Sequence, residues 1–142
     1  MHIETALYNY LASVVAITAL VSDRIYMDVA AEGAAMPYLV FTRVSTVPDY
    51  LMGGQSGLTT ARFQFDAISD EKMDVMSVAE QLRLALSGYG PATMGGAGGA
   101  EVDWCSLELM QDDFADETGR FSGIYRRLTD YYIHYRETVP SL

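Results

Sequence analysis

The chain has 142 residues, of which 50% are hydrophobic and 20% are charged, so it supports one buried core and predicts a single domain over residues 1–142. Nineteen acidic against nine basic residues give a formal charge of -10. That charge disfavours a protein whose main affinity is for nucleic-acid phosphates or anionic lipid. Cys105 is the single cysteine, beside two histidines, so neither a disulfide nor a zinc site is expected and a reducing compartment is favoured.

The segment between Glu4 and Asp23 carries no charged side chain. Polar residues interrupt it and no basic run precedes it, so it predicts a core helix and neither a membrane span nor a signal peptide. One face repeats apolar residues at helical spacing: Ile3, Leu7, Tyr10, Leu11, Val14, Ile17 and Val21. The opposite face is small and uncharged: Thr5, Asn9, Ala12, Ser13 and Ala16. Either a neighbouring subunit covers that face, or exposed alanine is simply tolerated there.

Three extended segments are predicted next. A short piece starts at Ile25, residues 38–44 are rich in β-forming types, and residues 58–68 alternate between apolar and polar. The alternation places one set on a buried face: Thr59, Ala61, Phe63, Phe65 and Ala67. Residues 45–57 hold Pro and Gly punctuation and predict a long loop that exposes Tyr50, Leu51 and Met52.

A second helix is predicted after Ser69 and Asp70, which supply capping oxygens, and it ends near Gly88. Its apolar stripe is Val75, Val78, Ala79, Leu82, Ala85 and Leu86, and its outer face is charged. The segment that follows, residues 88–100, contains half of the twelve glycines. It matches no dinucleotide or phosphate-binding loop, so we expect a flexible connection.

The last predicted strands cover residues 102–109 and 121–136, and an acidic turn, residues 112–119, joins them. A calcium loop needs oxygen ligands at alternate positions, but Phe114 occupies the second ligand position after Asp112. The turn is therefore interpreted as a solvated acidic segment, with metal binding the weaker alternative. Residues 137–142 are expected to form a mobile tail.

No catalytic motif is present. The sequence lacks a nucleophile elbow and a zinc-protease helix, and His134 lies in a tyrosine-rich strand where a packed imidazole is the commoner role. Cys105 is expected to be a small buried hydrophobe. We therefore expect no enzyme activity, no cofactor and no metal. The predicted fold is α+β, with two main helices packed on one face of a mixed, mostly antiparallel sheet of four to five strands.

Several short motifs along residues 3–136 together resemble the tail-completion, or tail-terminator, family of long-tailed phages and prophages. Gene-transfer agents carry similar proteins. The motifs are Asp23-Arg24-Ile25-Tyr26, Pro37-Tyr38-Leu39-Val40-Phe41, Pro48-Asp49-Tyr50, Ser56-Gly57-Leu58, Arg62-x-Gln64-x-Asp66, Tyr125-Arg126-Arg127 and Asp130-Tyr131-x-Ile133-x-Tyr135. The glycine-rich segment departs from the family pattern, since it is longer than a simple turn.

The resemblance implies a structural virion protein, assembled in the host cytoplasm, that forms a hexameric ring on the head-proximal end of the tail tube. Its expected partners are copies of itself, the major tail tube protein and the head-connector or stopper protein. DNA would pass through the ring without specific binding, and no membrane is involved. The alternatives are another neck subunit, such as a head-completion or stopper protein, and a small ligand- or metal-binding α+β domain.

The expected exposure of residues, and not contacts known from the family, suggests which residues meet neighbouring subunits. We predict an interface loop at Asp49, Tyr50, Leu51 and Met52, and a second contact edge at Asp112, Asp113 and Phe114. A polar strand face is predicted to meet a neighbour through Arg62, Gln64 and Asp66. In this hypothesis the ring closes by heterologous contacts and no covalent bond is made or broken.

Overall fold

The computed structural model describes residues 2–115 and 123–137. The elements, in chain order, are α1 (Ile3–Ser13), α2 (Val15–Val21), β1 (Ile25–Met27), β2 (Tyr38–Leu51), β3 (Gly54–Ser69), α3 (Lys72–Leu86), β4 (Ala92–Met94), β5 (Ala100–Ala115) and β6 (Ile124–Arg136). The six strands form one mixed, curled sheet in the order β1-β2-β3-β6-β5-β4.

Four long strands, β2, β3, β6 and β5, make up the body of the sheet, and each is antiparallel to its neighbour. The two outer strands are short. β1 runs parallel to the first residues of β2, and β4 runs antiparallel to the first residues of β5. Most of the length of β2 and β5 therefore lies at the two sides of the sheet.

The three helices cover one face of the sheet, and no other described element covers the opposite face, here called the open face. The alternation predicted for β3 is confirmed, because the five residues from Thr59 to Ala67 at odd positions are all buried. Their neighbours on β3 at even positions are half-buried on the open face. The stripe predicted on α3 is also confirmed, with Val75, Val78, Leu82 and Leu86 in the core.

The predicted fold was wrong in the number of elements. The protein is mostly sheet, with six strands and three helices, where four to five strands and two main helices were expected. The additional strand is β4, within the glycine-rich segment. The additional helix arises because the first predicted helix is broken at Val14, which adopts an extended conformation.

The break at Val14 is steep, since α1 and α2 are bent by 83°. No Pro or Gly marks it. Ser13 donates its hydroxyl to the Tyr10 carbonyl at 2.6 Å, an alternative to the helical ladder that Ser offers near a helix end. The bend lets Leu11 before the break and Ile17 after it both reach the core, where each is fully buried. Tertiary packing thus overrides the continuous helical pattern of the sequence.

The predicted loop over residues 45–57 was also wrong, since β2 continues to Leu51 and β3 begins at Gly54. Val47 and Pro48 pair with Thr60 and Thr59, and the ladder tolerates register shifts before Ser45 and before Tyr50. Pro48 is tolerated because no described strand of the chain pairs with β2 on its outer side at this position. The missing N–H of Pro48 therefore removes no hydrogen bond of the sheet.

The glycine-rich segment is anchored where it passes beneath α1. Met94 in β4 is fully buried. Gly95 has a φ of +85°, and a Cβ at this position would lie 2.8 Å from the Ala6 Cα atom. Only glycine therefore permits this close approach to the helix. The flexibility expected for the rest of the segment stays a prediction.

No single helix among the described residues is long and apolar enough to cross a membrane, and α1 with α2 meets that test only as a bent pair.

Phe65 tests the packing of the core. Its ring lies 5.9 Å from the Phe41 ring and 5.5 Å from the Tyr131 ring, measured between centroids. We expect Phe65→Ala to lower the free energy of unfolding by about 3 kcal/mol or more, because it leaves a cavity in the centre of the sheet face. Urea denaturation measures the change. Leu84→Ala, at an exposed position of α3, is the control and should shift stability by less than about 1 kcal/mol.

Candidate assembly interface

The β2–β3 hairpin extends past the end of β6 as an arm, residues 49–57. Among residues 2–115 and 123–137, β6 pairs with β3 only from Leu58 onward, so the arm is two-stranded in that part of the chain. Tyr50 and Leu51 are two-thirds exposed and Met52, at the tip, is fully exposed. Exposed apolar residues grouped on a projecting hairpin are a common feature of interaction surfaces.

The arm has internal bracing. The Ser56 hydroxyl donates to the Asp49 carbonyl at 3.0 Å and accepts from the Leu58 N–H at 3.1 Å. The first bond ties its two strands together at the base, and the second orients the Ser56 hydroxyl within β3. The predicted loop residues Asp49, Tyr50, Leu51 and Met52 thus lie together on one braced hairpin. Whether they contact a neighbour stays a prediction.

The second predicted edge lies near the end of β5. Arg127 on β6 donates to the Asp112 carboxylate at 2.6 Å, and Lys72 at the start of α3 donates to it at 3.0 Å. Asp113 is paired with Arg126 in the β5–β6 ladder. The Phe114 side chain and residues 116–122, which include the second half of the acidic turn, lie outside the described residues, as do 138–142 of the expected tail.

Hydrogen bonds from Arg127 and Lys72 lower the pKa of the Asp112 carboxyl from 3.8 to about 2. Asp112 therefore ties α3 to the β5–β6 hairpin, and its charge is neutralised within the chain. This contact was missed in sequence reasoning, because Lys72 and Asp112 are far apart in the chain and carry no shared pattern.

The open face of the sheet carries the predicted polar residues of β3. Arg62 binds the Asp130 carboxylate, and Asp66 accepts a hydrogen bond from Arg126 at 2.9 Å. Asp130 is only 1% exposed, so the pair holds a buried charge next to the half-buried Gln64. Arg62 and Asp66 are thus engaged within the chain, and their predicted contact with a neighbour stays a prediction.

A stacked pair lies at one end of the open face. The rings of Trp104 and His134 are parallel within 15°, with centroids 3.9 Å apart. His134 Nδ1 lies 2.9 Å from the Thr60 hydroxyl, and burial lowers the pKa of His134 although Asp103 and Glu108 oppose the shift. Trp104 remains 49% exposed. The pair lines a hollow that Val47 also borders, and sequence reasoning gave Trp104 no role.

All eight basic side chains in the described ranges are engaged within the chain. Seven of them bind carboxylates: Arg43, Arg62, Lys72, Arg83, Arg126, Arg127 and Arg136. Arg24 instead donates to the Pro37 carbonyl at 2.9 Å. The surplus charge of the molecule is anionic, and each described arginine and lysine has a partner within the chain.

The described residues show no cluster of three potential metal ligands. Burial raises the pKa of the Cys105 thiol to about 12, so the single cysteine is a buried, protonated side chain at neutral pH. Its predicted position in the core is confirmed.

Comparison with known proteins gives a consistent result. A family model described as tail completion protein gp17 matches residues 5–129. A chain from a solved structure described as the virion of a native gene transfer agent particle superposes with a TM-score of 0.75. It is 15% identical, and the match covers 94% of each chain. No curated protein matches.

The chain belongs to the tail completion protein gp17 family, since the model covers most of its length. It is a structural tail protein of a virion, and the family resemblance drawn from its motifs is confirmed. The likeness to the gene transfer agent chain, at its low identity, shows a shared fold.

The ion pairs of Asp112 give a pH-dependent prediction. Because folding lowers the carboxyl pKa, the stabilisation is present above the ordinary value and is lost as the pH falls toward about 2. The site is partly exposed, so solvent screening limits the effect to about 1 kcal/mol. We expect Asp112→Asn to lower the unfolding free energy by that amount at pH 7 and to have little effect near pH 2. Urea titrations at both pH values measure this, and Glu32→Gln, in an exposed loop, should show no such convergence.

Proposed function

We propose that this protein forms a hexameric ring on the head-proximal end of the tail tube, where it stops tube growth and provides the surface that docks to the head connector or stopper. DNA passes through the hole of the ring without specific binding. Assembly takes place in the host cytoplasm, and no reaction is catalysed. The family membership and the projecting apolar arm are the observations that support this function most directly.

The arm supports a ring because it is a heterologous contact element. Its tip presents apolar residues away from its own sheet, so the surface that receives it lies on another molecule. A contact between unlike surfaces closes into a ring when the rotation between copies is right. Termination then follows if one face of the ring matches the tube and the opposite face does not, so that no further tube subunit adds.

The charge distribution supports passage of DNA without binding. Affinity for DNA comes largely from basic side chains that neutralise phosphates, but each described basic side chain already binds within the chain. A ring of such subunits repels phosphates at close range, where salt screens least. DNA can therefore slide without being held.

Deletion of the gene tests the proposed function. In cells that produce the particle, we expect overlong or unjoined tails beside filled heads, as seen by negative-stain electron microscopy, and restoration by the gene supplied in trans. Tails of normal length beside leaking heads would contradict the proposal and point to a stopper.

The arm can be tested separately with paired substitutions. We expect Leu51→Gln with Met52→Gln to reduce the yield of head-joined tails about tenfold or more, because two exposed apolar anchors are lost from the contact. The control is Met73→Gln with Leu84→Gln, which changes two exposed apolar residues of α3. Urea denaturation should show both variants within about 0.5 kcal/mol of the original chain. Normal yields from the arm variant would overturn the assignment.

A further inference from the structure

Two long strand edges lie at opposite sides of the sheet and at opposite ends of it. β1 covers β2 only at residues 39–41, so Thr42 to Leu51 form an uncovered edge among the described residues, here named the β2 edge. On the other side, β4 and residues 88–89 cover β5 only as far as Cys105, within the part of the chain that the structure describes. Ser106 to Asp112 therefore form the corresponding β5 edge. Long uncovered edges that carry apolar side chains are templates for pairing with another strand. Pro48, next to Val47, supplies no N–H to such a pair, so the ladder between copies lacks one hydrogen bond there.

We infer that the β2 edge of one copy pairs with the β5 edge of the next copy, in an antiparallel and staggered register centred on Val47 and Leu109. This inference rests on the proposed ring and specifies how neighbours join. It makes the four long strands of each copy part of one closed barrel.

The strand directions fit this pairing. Four antiparallel strands separate the two edges, counting β2 and β5 themselves, so the two side strands run in opposite directions. Rotation about an axis along the strands preserves these directions. β5 of one copy is therefore antiparallel to β2 of its neighbour, which is the more stable arrangement per residue.

The stagger follows from the positions of the edges. Leu109 is level with Thr42 across the sheet, through its partner Asp130 and then Gln64. Val47 pairs with Thr60, four residues further along β3. Aligning the two edges thus shifts neighbouring copies by about 13 Å along the strands over a width of about 19 Å. The resulting strand tilt is roughly 35°, the value that closed barrels adopt.

The hand of the tilt decides which face lines the hole. The side chains of Leu39 and Phe41 point toward the helices, and their backbone groups point toward β1. The Leu39 N–H donates to the Arg24 carbonyl at 3.0 Å, and the Phe41 carbonyl accepts from the Asp28 N–H at 2.8 Å. Consider the sheet viewed from the helices, with β2 running upward. For L-residues whose side chains point toward the viewer, these backbone groups lie on the right, so β1 lies to the right of β2 and the β5 edge lies at the far left. The β2 edge is then at upper right and the β5 edge at lower left.

When the helices face the viewer, each copy joined through these edges lies higher than the copy on its left. Once the ring is set level, the strands therefore lean to the right. Strands of a barrel lean this way when viewed from outside, because of their right-handed twist. The helices are therefore outside and the open face lines the hole. Six copies give a backbone diameter of about 44 Å, which leaves room for a DNA duplex, whereas a ring of four gives about 30 Å and does not.

Side chains also match in this register. Val47 is 66% exposed and Leu109 is 44% exposed, both on the open face, and pairing covers both. The neighbour's arm then extends along β5 toward Trp104, whose exposed ring borders the hollow beside Val47. The hole is lined by Arg62, Arg126 and Arg136, each neutralised by a carboxylate.

Disulfide trapping tests the register in the full chain. We expect an equimolar mixture of Val47→Cys and Leu109→Cys to form a mixed disulfide dimer on mild oxidation, and each variant alone to form none. The chain with both substitutions should form covalent multimers up to the size of the ring. Cys105 can stay, because it is buried. Thr42→Cys mixed with Leu109→Cys is the matched control, which cross-links only if neighbours are aligned without stagger.

The outcomes separate the inference from the proposed function. Cross-linking of Thr42→Cys with Leu109→Cys, or of Val47→Cys with itself, overturns the staggered heterologous pairing. A ring mass in light scattering without the Val47 to Leu109 cross-link also overturns the pairing and leaves the ring intact. If overlong tails follow gene deletion but particles built from the doubly substituted chain contain no cross-link, the function stands and the edge assignment fails.

Discussion

The central constraint on this structure is that β3 buries one face completely while its other face stays polar. Phe63 and Phe65 on β3 pack against Phe41 and Tyr131 from the strands on either side. A shift of one residue in register would move this aromatic cluster to the open face and bring Arg62 and Asp66 into the core. The register of the whole sheet is thereby fixed, and with it the position of both uncovered edges and of the arm.

The same strand explains why elements with regular periodicity could be predicted from the sequence. The alternation along β3 and the apolar stripe of α3 each depend only on residues close in the chain. Burial in the structure follows the β3 pattern residue by residue, and it follows the α3 stripe except at Ala85, which is only partly buried. The break at Val14 could not be foreseen, because the stripe continues across it and only packing against the sheet determines the bend. β4 was hidden for a similar reason, since glycines mask a strand of three residues that depends on β5.

The candidate interface was only partly predictable. The arm was recognised by its exposed Tyr50, Leu51 and Met52, although it was taken for a loop, because Pro48 and two glycines are usual signs of a turn. Its extended form depends on pairing between β2 and β3 that no local signal reveals. The carboxylate partners of the basic residues lie far away in sequence, as between Arg62 and Asp130. Pairings of this kind appear only once strand order is known.

Charged side chains and strand edges differ in what they leave available to a partner. The described basic side chains bind within the chain, whereas two strand edges are uncovered among the described residues. A side chain that already binds within the chain offers less attraction to a partner, so in the proposed ring the paired arginines of the open face are poorly suited to holding DNA. Unpaired strand edges and exposed apolar residues have the opposite property, because each gains from being covered. In the proposed ring, contacts between copies are therefore concentrated at the sides of the sheet and at the arm, while the open face between them is left to the DNA. A subunit that must hold its neighbours while letting a polyanion move past requires this separation.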